Sequence, residues 1–161
     1  MINKKVKNAT THEYNGVKFK SGLELFAYKT LTENEIPFTY QPDKTVLLAP
    51  FKITFDCYED IGKVYRDESR KIIKSTKRFD KIDGVGKISY TPDFMCTEGS
   101  WIMETKGFAS ADFPLRWKMF KKTLTFNEFD GILMKPTNQK EVLECINIIK
   151  NGKEQIDSEV Q

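Results

Sequence analysis

Two β-patterned segments, residues 88–95 and 101–106, flank Thr97-Glu98-Gly99-Ser100, and that spacing makes the chain turn back on itself as a hairpin. Centred on Glu98-Gly99, the hairpin sets Phe94 opposite Met103 and Asp93 opposite Glu104. Directly opposed residues hold their Cβ atoms about 4.5–5.5 Å apart on one face of a sheet, where two bare carboxylates repel. A divalent cation between them removes the repulsion, and Mg²⁺ favours a few carboxylate oxygens, a backbone carbonyl and several waters. Lys106 lies two residues beyond Glu104, so it emerges on the same face, about 6–7 Å along the strand. Metal, water and ammonium then share one patch. A solvated Asp/Glu/Lys surface is the bland alternative for the same spacing.

The segments around the hairpin read as alternating helices and strands. Residues 1–15 form a polar arm without periodicity. Ser21-Gly22-Leu23-Glu24 is a capping box, followed by Leu23, Phe26, Ala27, Thr30 and Leu31 on one face of a helix that ends near Asn34, before Pro37. That box accounts for Glu24 without any function. Phe38, Tyr40 and the β-rich run from Thr45 to Phe55 give one or two strands, with Pro50 as a break or edge. Residues 56–87 are highly charged and read as an insertion or long loop, with a short helix around Ser69 to Lys77. A second helix spans Phe113 to Leu124, with Pro114 in its first turn and Phe113, Trp117, Phe120 and Leu124 facing inward. Asp130 to Lys135 is a short strand. Asn138 and Glu141 cap a last helix that buries Val142, Cys145, Ile146 and Ile149, and residues 151–161 fray. The expectation is a single α/β domain over 161 residues with a mixed central sheet flanked by helices.

Composition removes whole classes of chemistry. A single histidine, His12, excludes H-E-x-x-H zinc sites and leaves no second candidate for a Ser-His-Asp arrangement. Cys57, Cys96 and Cys145 lack C-x-x-C spacing, which argues against a disulfide framework and for a reducing cytosol. The longest apolar run, Val46 to Phe51, is far short of the roughly 20 residues a membrane span needs, and Met1-Ile2-Asn3-Lys4-Lys5 does not open a secretory signal. Catalysis in such a chain must run on carboxylates, lysines and a hard metal.

Net charge is only +3, but it is unevenly placed. Arg70, Lys71, Lys74, Lys77 and Arg78 form one unopposed basic run, and Arg116, Lys118, Lys121 and Lys122 another. Either alone fits a solvated face. Two flanking the candidate site point to a phosphate-binding surface, and Lys20, Lys74, Lys77, Arg78, Arg116, Lys118, Lys121 and Lys122 are the candidate DNA contacts.

Thr91-Pro92-Asp93-Phe94 followed by Met103-Glu104-Thr105-Lys106-Gly107 resembles the active-site signature of the PD-(D/E)xK nucleases. Phe19-Lys20-Ser21-Gly22-Leu23-Glu24 is similar to the F-x-S-G-L-E segment of the phage endonuclease I type of Holliday junction resolvase, which also carries Y-T-P-D-F and E-T-K-G segments. The likeness covers residues 17–50 and 88–125, about half the chain. It implies the restriction-endonuclease-like core and a metal-dependent endonuclease that cuts branched DNA as a homodimer. Mg²⁺ is the implied metal, with Mn²⁺ able to substitute. Asp93 and Glu104 would ligate it with the Thr105 carbonyl, Glu24 would hold a second metal or its water, and Lys106 would orient water and stabilise phosphate charge. Thr39 stands where those resolvases have an acidic residue, and residues 56–87 exceed the corresponding connection. A nuclease acting on ordinary duplex or single strands, or a nucleic-acid-binding protein that does not cut, are the alternatives. Whether Lys106 acts as base or electrostatic stabiliser stays open from sequence, with the stabiliser role favoured.

Overall fold

The computed structural model describes residues 11–69, 71–107 and 109–159, with side chains described as far as residue 152. Residues 1–10 of the polar arm and Arg70 of the first basic run lie outside the described residues. The protein is mixed α/β, and the chain divides into two compact units, one of residues up to 45 and from 90 on, the other Val46–Ser89. No described helix is long and apolar enough to cross a membrane.

In the first unit, β1 (His12–Tyr14) pairs antiparallel with β2 (Val17–Phe19), so the end of the expected arm is a small hairpin. Asn15 and Gly16, both at positive φ, make its turn. Helix α1 (Gly22–Glu33) starts at Ser21, whose Oγ accepts the Glu24 N–H at 3.1 Å. It stops in a Schellman motif. Asn34 is the C-cap, Glu35 sits at φ 54°, and the N–H groups of Glu35 and Ile36 donate to the carbonyls of Thr32 and Leu31. Ile36 and Leu31 then meet in the core, the apolar contact that usually accompanies this motif. Helix α2 (Phe113–Phe126) ends in the same way, through Asn127, Glu128 at φ 53° and Phe129. Leu-Thr-x-Asn-Glu followed by an apolar residue marks both stops in the sequence.

A four-stranded mixed sheet runs in the order β12 (Ile132–Met134), β11 (Trp101–Met103), β10 (Phe94–Cys96), β3 (Phe38–Tyr40). The β10–β11 hairpin has the expected register, Phe94 opposite Met103 and Met95 opposite Ile102. β11 and β12 are parallel, and α2 provides the crossover that parallel neighbours require. Phe94, Cys96, Trp101, Met103 and Met134 bury themselves against Ala27 and Leu31 of α1 and against α3 (Gln139–Glu159). The α3 residues in this core are Val142, Cys145, Ile146 and Ile149, as their spacing predicts. Phe113, Trp117 and Phe120 of α2 form a second aromatic cluster with Tyr90.

Four expectations need correction. The strand expected over 88–95 is broken into β9 (Ile88–Tyr90) and β10, because Pro92 supplies no N–H to a ladder. β9 pairs instead with β4 (Thr45–Leu48). Residues 56–87 are not a loop: β5 (Phe51–Asp60) pairs with β8 (Phe79–Val85), and β6 (Val64–Arg66) with β7 (Ile72–Ser75). The helix expected around Ser69 to Lys77 is therefore a turn and a strand, its β-branched Ile72, Ile73 and Thr76 favouring the extended backbone. Lastly, α3 continues to Glu159 where fraying was expected from residue 151.

Candidate active site

Four of the predicted residues converge in the first unit. Asp93 and Glu104 lie one position beyond the last ladder pair of the β10–β11 hairpin, so they are not strand partners as the spacing had suggested. Each backbone is held by a different neighbour: the Asp93 carbonyl accepts from Gln41 N–H at 2.7 Å, and the Glu104 N–H donates to the Met134 carbonyl at 3.0 Å. Lys106 N–H donates to the Pro136 carbonyl at 2.9 Å. Residues 104–106 thus continue the parallel run beside β12 and keep a fixed path after β11 has ended.

The side chains reflect a shortage of positive charge. Glu104 is 3% exposed. Its Oε1 lies 3.1 Å from Lys106 Nζ, while Oε2 is buried without a hydrogen-bond partner among the described residues. The Tyr90 hydroxyl is close enough to the Glu104 carboxylate to be held above its ordinary pKa, burial being the larger cause, but the contact is too loose to satisfy either atom. Asp93 Oδ2 accepts from the Thr105 N–H at 2.9 Å and from the Thr105 hydroxyl at 2.7 Å. Even so its pKa is pushed up to about 7, first by burial, then by the negative charge of Glu104 and, more weakly, of Glu24. Three carboxylates therefore feel one another at this spot.

Glu24, 7% exposed, reaches the site from the first turn of α1. Its Oε2 accepts the Lys20 N–H at 3.1 Å and the Tyr40 hydroxyl at 2.9 Å. Burial first, then Glu24 and more weakly Asp93, holds the Tyr40 hydroxyl protonated well beyond its usual range. The Lys106 ammonium also sits 4.3 Å from the Phe113 ring centroid, which ties the site to the start of α2.

A buried carboxylate oxygen with no donor and an aspartate whose charge is disfavoured by two other carboxylates make a donor set that suits a hard divalent cation. No group of three or more His, Cys, Asp or Glu side chains among the described residues is placed to hold a metal ion as the side chains stand. Lys106 offers a physical reason, since its ammonium serves as the counter-charge for Glu104.

Thr105, expected to offer its carbonyl to a metal, uses its N–H and hydroxyl to orient Asp93. Tyr40, Tyr90 and Phe113 were not among the expected site residues, and each read only as an apolar position in a strand or helix. The basic residues fall into two groups. Arg116, Lys118, Lys121 and Lys122 are exposed on α2, with Arg116 bonded to Asp112 at 2.9 Å and Lys122 lying 5.5 Å from the Phe126 ring centroid. Lys20 is exposed immediately before α1. Lys74, Lys77 and Arg78 belong to the second unit, where Arg78 pairs with Asp80. Compared with protein-family models, with curated proteins and with solved structures, the chain matches none.

Proposed function

We propose that this protein is a metal-dependent endodeoxyribonuclease of the PD-(D/E)xK type, and that its substrate is branched DNA of the four-way-junction kind. The observation that carries the reading is the meeting of Glu24, Asp93, Glu104 and Lys106 at one spot, with Glu104 Oε2 left without a partner among the described residues. Asp93 and Glu104 are the residues to hold Mg²⁺ or Mn²⁺, with Glu24 beside them. A cation held there supplies Lewis-acid polarisation of a phosphoryl oxygen and a bound water of lowered pKa.

The chain's own residues do the rest. Thr105 fixes the Asp93 carboxylate in one orientation through two hydrogen bonds to its Oδ2. Tyr40 and the Lys20 N–H do the same for Glu24. Lys106, paired with Glu104 at 3.1 Å, would stabilise negative charge as it builds on the phosphate. Exposed Lys118 and Lys121, on the helix whose first residue, Phe113, lies under Lys106, offer phosphate contacts.

Two symmetric cuts in a junction require two active sites related by a two-fold axis, so this reading also entails a homodimer. Incubating the protein with labelled four-way junction, linear duplex and single strand, in Mg²⁺ or in EDTA, tests the proposal. It expects Mg²⁺-dependent paired incisions in the junction. Equal cutting of all three would leave a simpler nuclease, and binding without cutting would leave a DNA-binding protein.

A further inference from the structure

The unit Val46–Ser89 carries the whole of the net charge. It holds ten Lys and Arg against seven Asp and Glu, and the rest of the chain holds sixteen of each. The charge is also graded along the unit. Residues 61–78 have seven basic side chains against Asp67 and Glu68, while the remainder of the unit has three against five.

The same segment is one stiff two-stranded ribbon. One register carries across from the first ladder to the second: Tyr58 opposes Lys81, Asp60 opposes Phe79, Val64 opposes Ser75 and Tyr65 opposes Lys74, with a shift in each ladder outside this stretch, between Lys52 and Cys57 and between Tyr65 and Arg66. The junction between the ladders is pinned by Asp60 Oδ1, which accepts from Gly62 N–H at 2.9 Å and Arg78 N–H at 3.1 Å. A Cβ on Gly62 would stand 2.0 Å from the Thr76 carbonyl oxygen, so only glycine lets the strands approach here. At the end turn, Asp67 Oδ1 accepts from the Ser69 hydroxyl and the Lys71 N–H, which holds one of the two acids against the backbone.

The basic end is also left open to solvent. Lys63, Lys71, Lys74 and Lys77 are exposed and make no ion pair among the described residues. Lys63, Tyr65, Lys74 and Thr76 share one face by register, and Lys74 Nζ lies 5.9 Å from the Tyr65 ring centroid. Ile72, opposite Arg66, and Ile73, at the shift of register, are 52% and 65% exposed further along the same strand as Lys74. A twisted two-stranded ribbon is one of the shapes that the major groove of B-DNA admits. An exposed mixture of lysines outside ion pairs, an aromatic ring and apolar side chains suits a phosphate backbone flanking base edges and sugars.

We propose that the β6–β7 end of this ribbon is a duplex-DNA-binding element, with Lys63, Lys74 and Lys77 on phosphates and Tyr65 with the isoleucines against the groove. The choice of DNA as the polyanion rests on the nuclease reading. The element itself does not depend on cleavage. The test uses the full chain carrying Glu104→Gln, in EDTA, and measures binding to a labelled duplex by anisotropy across a salt series. Adding Lys63→Glu, Lys74→Glu and Lys77→Glu should lower the log–log salt slope by roughly 2.7, about 0.9 for each phosphate no longer neutralised. The Lys→Gln triple variant should lower it similarly without adding repulsion, and serves if charge reversal disturbs the ribbon. Tyr65→Ala should weaken binding at unchanged slope. An unchanged slope in both triple variants overturns the proposal. It is equally overturned if the triple variants bind DNA as the parent does but no longer bind phosphatidylserine vesicles that the parent binds. If the wild-type chain cuts nothing yet the slope falls, the nuclease reading fails and this one stands.

Discussion

Lys106 Nζ lies 3.1 Å from Glu104 Oε1, and it is the counter-charge that Glu104 has in the folded chain without metal. Glu104 is almost fully buried, so removing this partner strands a carboxylate whose other oxygen already lacks a donor. Lys106→Met should therefore lower metal-free stability by roughly 1–3 kcal/mol, read from denaturant unfolding. Added Mg²⁺ should raise the melting temperature of this variant by more than that of the wild type. Equal stability with and without Lys106 would mean that the ion pair is incidental.

The raised pKa of Asp93 sets a pH dependence with a definite sign. Below about pH 4 the group is protonated in both the folded and the unfolded chain, and it carries no penalty. Between its ordinary value of 3.8 and about 7 the folded chain holds the extra proton, so stability falls as pH rises. Above about 7 the penalty is complete. Metal-free unfolding at pH 5 and pH 7.5 should differ by roughly 1–4 kcal/mol, with Asp93→Asn flattening the difference. A wild-type stability that rises over this interval, or an Asp93→Asn profile that matches it, counts against the crowded carboxylates.

Glu24 and Glu141 make the same local structure with different outcomes. Each is the third residue of its helix and reaches back to the N–H of the residue before the cap, Lys20 for Glu24 and Thr137 for Glu141. Glu141 bonds only to its own helix start, whereas Glu24 is buried, takes the Tyr40 hydroxyl and feels Asp93. Glu24→Gln keeps an acceptor for the cap, so unfolding should shift by less than about 1 kcal/mol. Cleavage should nevertheless fall about tenfold or more. A fully active Glu24→Gln protein would return the residue to a purely capping role.

What the sequence made legible was whatever rests on periodicity and short spacing. The hairpin register, Phe94 on Met103, follows from the turn at Glu98-Gly99, and the inward face of α3 follows from helical repeat. Pro92 breaks the strand expected over 88–95, and the consequence, an Asp93 turned to Thr105, depends on β3 and β12 arriving alongside. Tyr40 illustrates the same limit, since its alternation with Phe38 announces a strand and says nothing about a glutamate 16 positions away. Residues 56–87 read as a loop because charge on both faces of a ribbon leaves no apolar stripe, and the β-favouring Val64-Tyr65, Ile72-Ile73, Phe79 and Ile82 are scattered among charged residues. Neither Schellman stop carries the usual sequence mark, because glutamate, not glycine, occupies the positive-φ position in both.

The exposed lysines of α2 should behave as phosphate contacts rather than as solvated surface. Reversing Lys118, Lys121 and Lys122 should flatten the salt dependence of DNA binding by about 0.9 per phosphate released, while unfolding stays within about 0.5 kcal/mol of wild type. Lys122 also covers the Phe126 ring, so its own contribution should be the smallest of the three. A slope that does not move would assign the cluster to solubility alone.

The most direct measurement of the central claim is the rate of cutting of a labelled four-way junction across a Mg²⁺ titration, for the wild type and for Asp93→Asn. Asp93→Asn keeps an acceptor for the two Thr105 hydrogen bonds and removes only the charge, so its fold should stand. The wild type should show saturable Mg²⁺-dependent incision that EDTA abolishes, and Asp93→Asn should cut at least about 100-fold more slowly. Cutting that persists in EDTA, or an Asp93→Asn rate near that of the wild type, would contradict the assignment of Asp93 and Glu104 as the metal site of a nuclease.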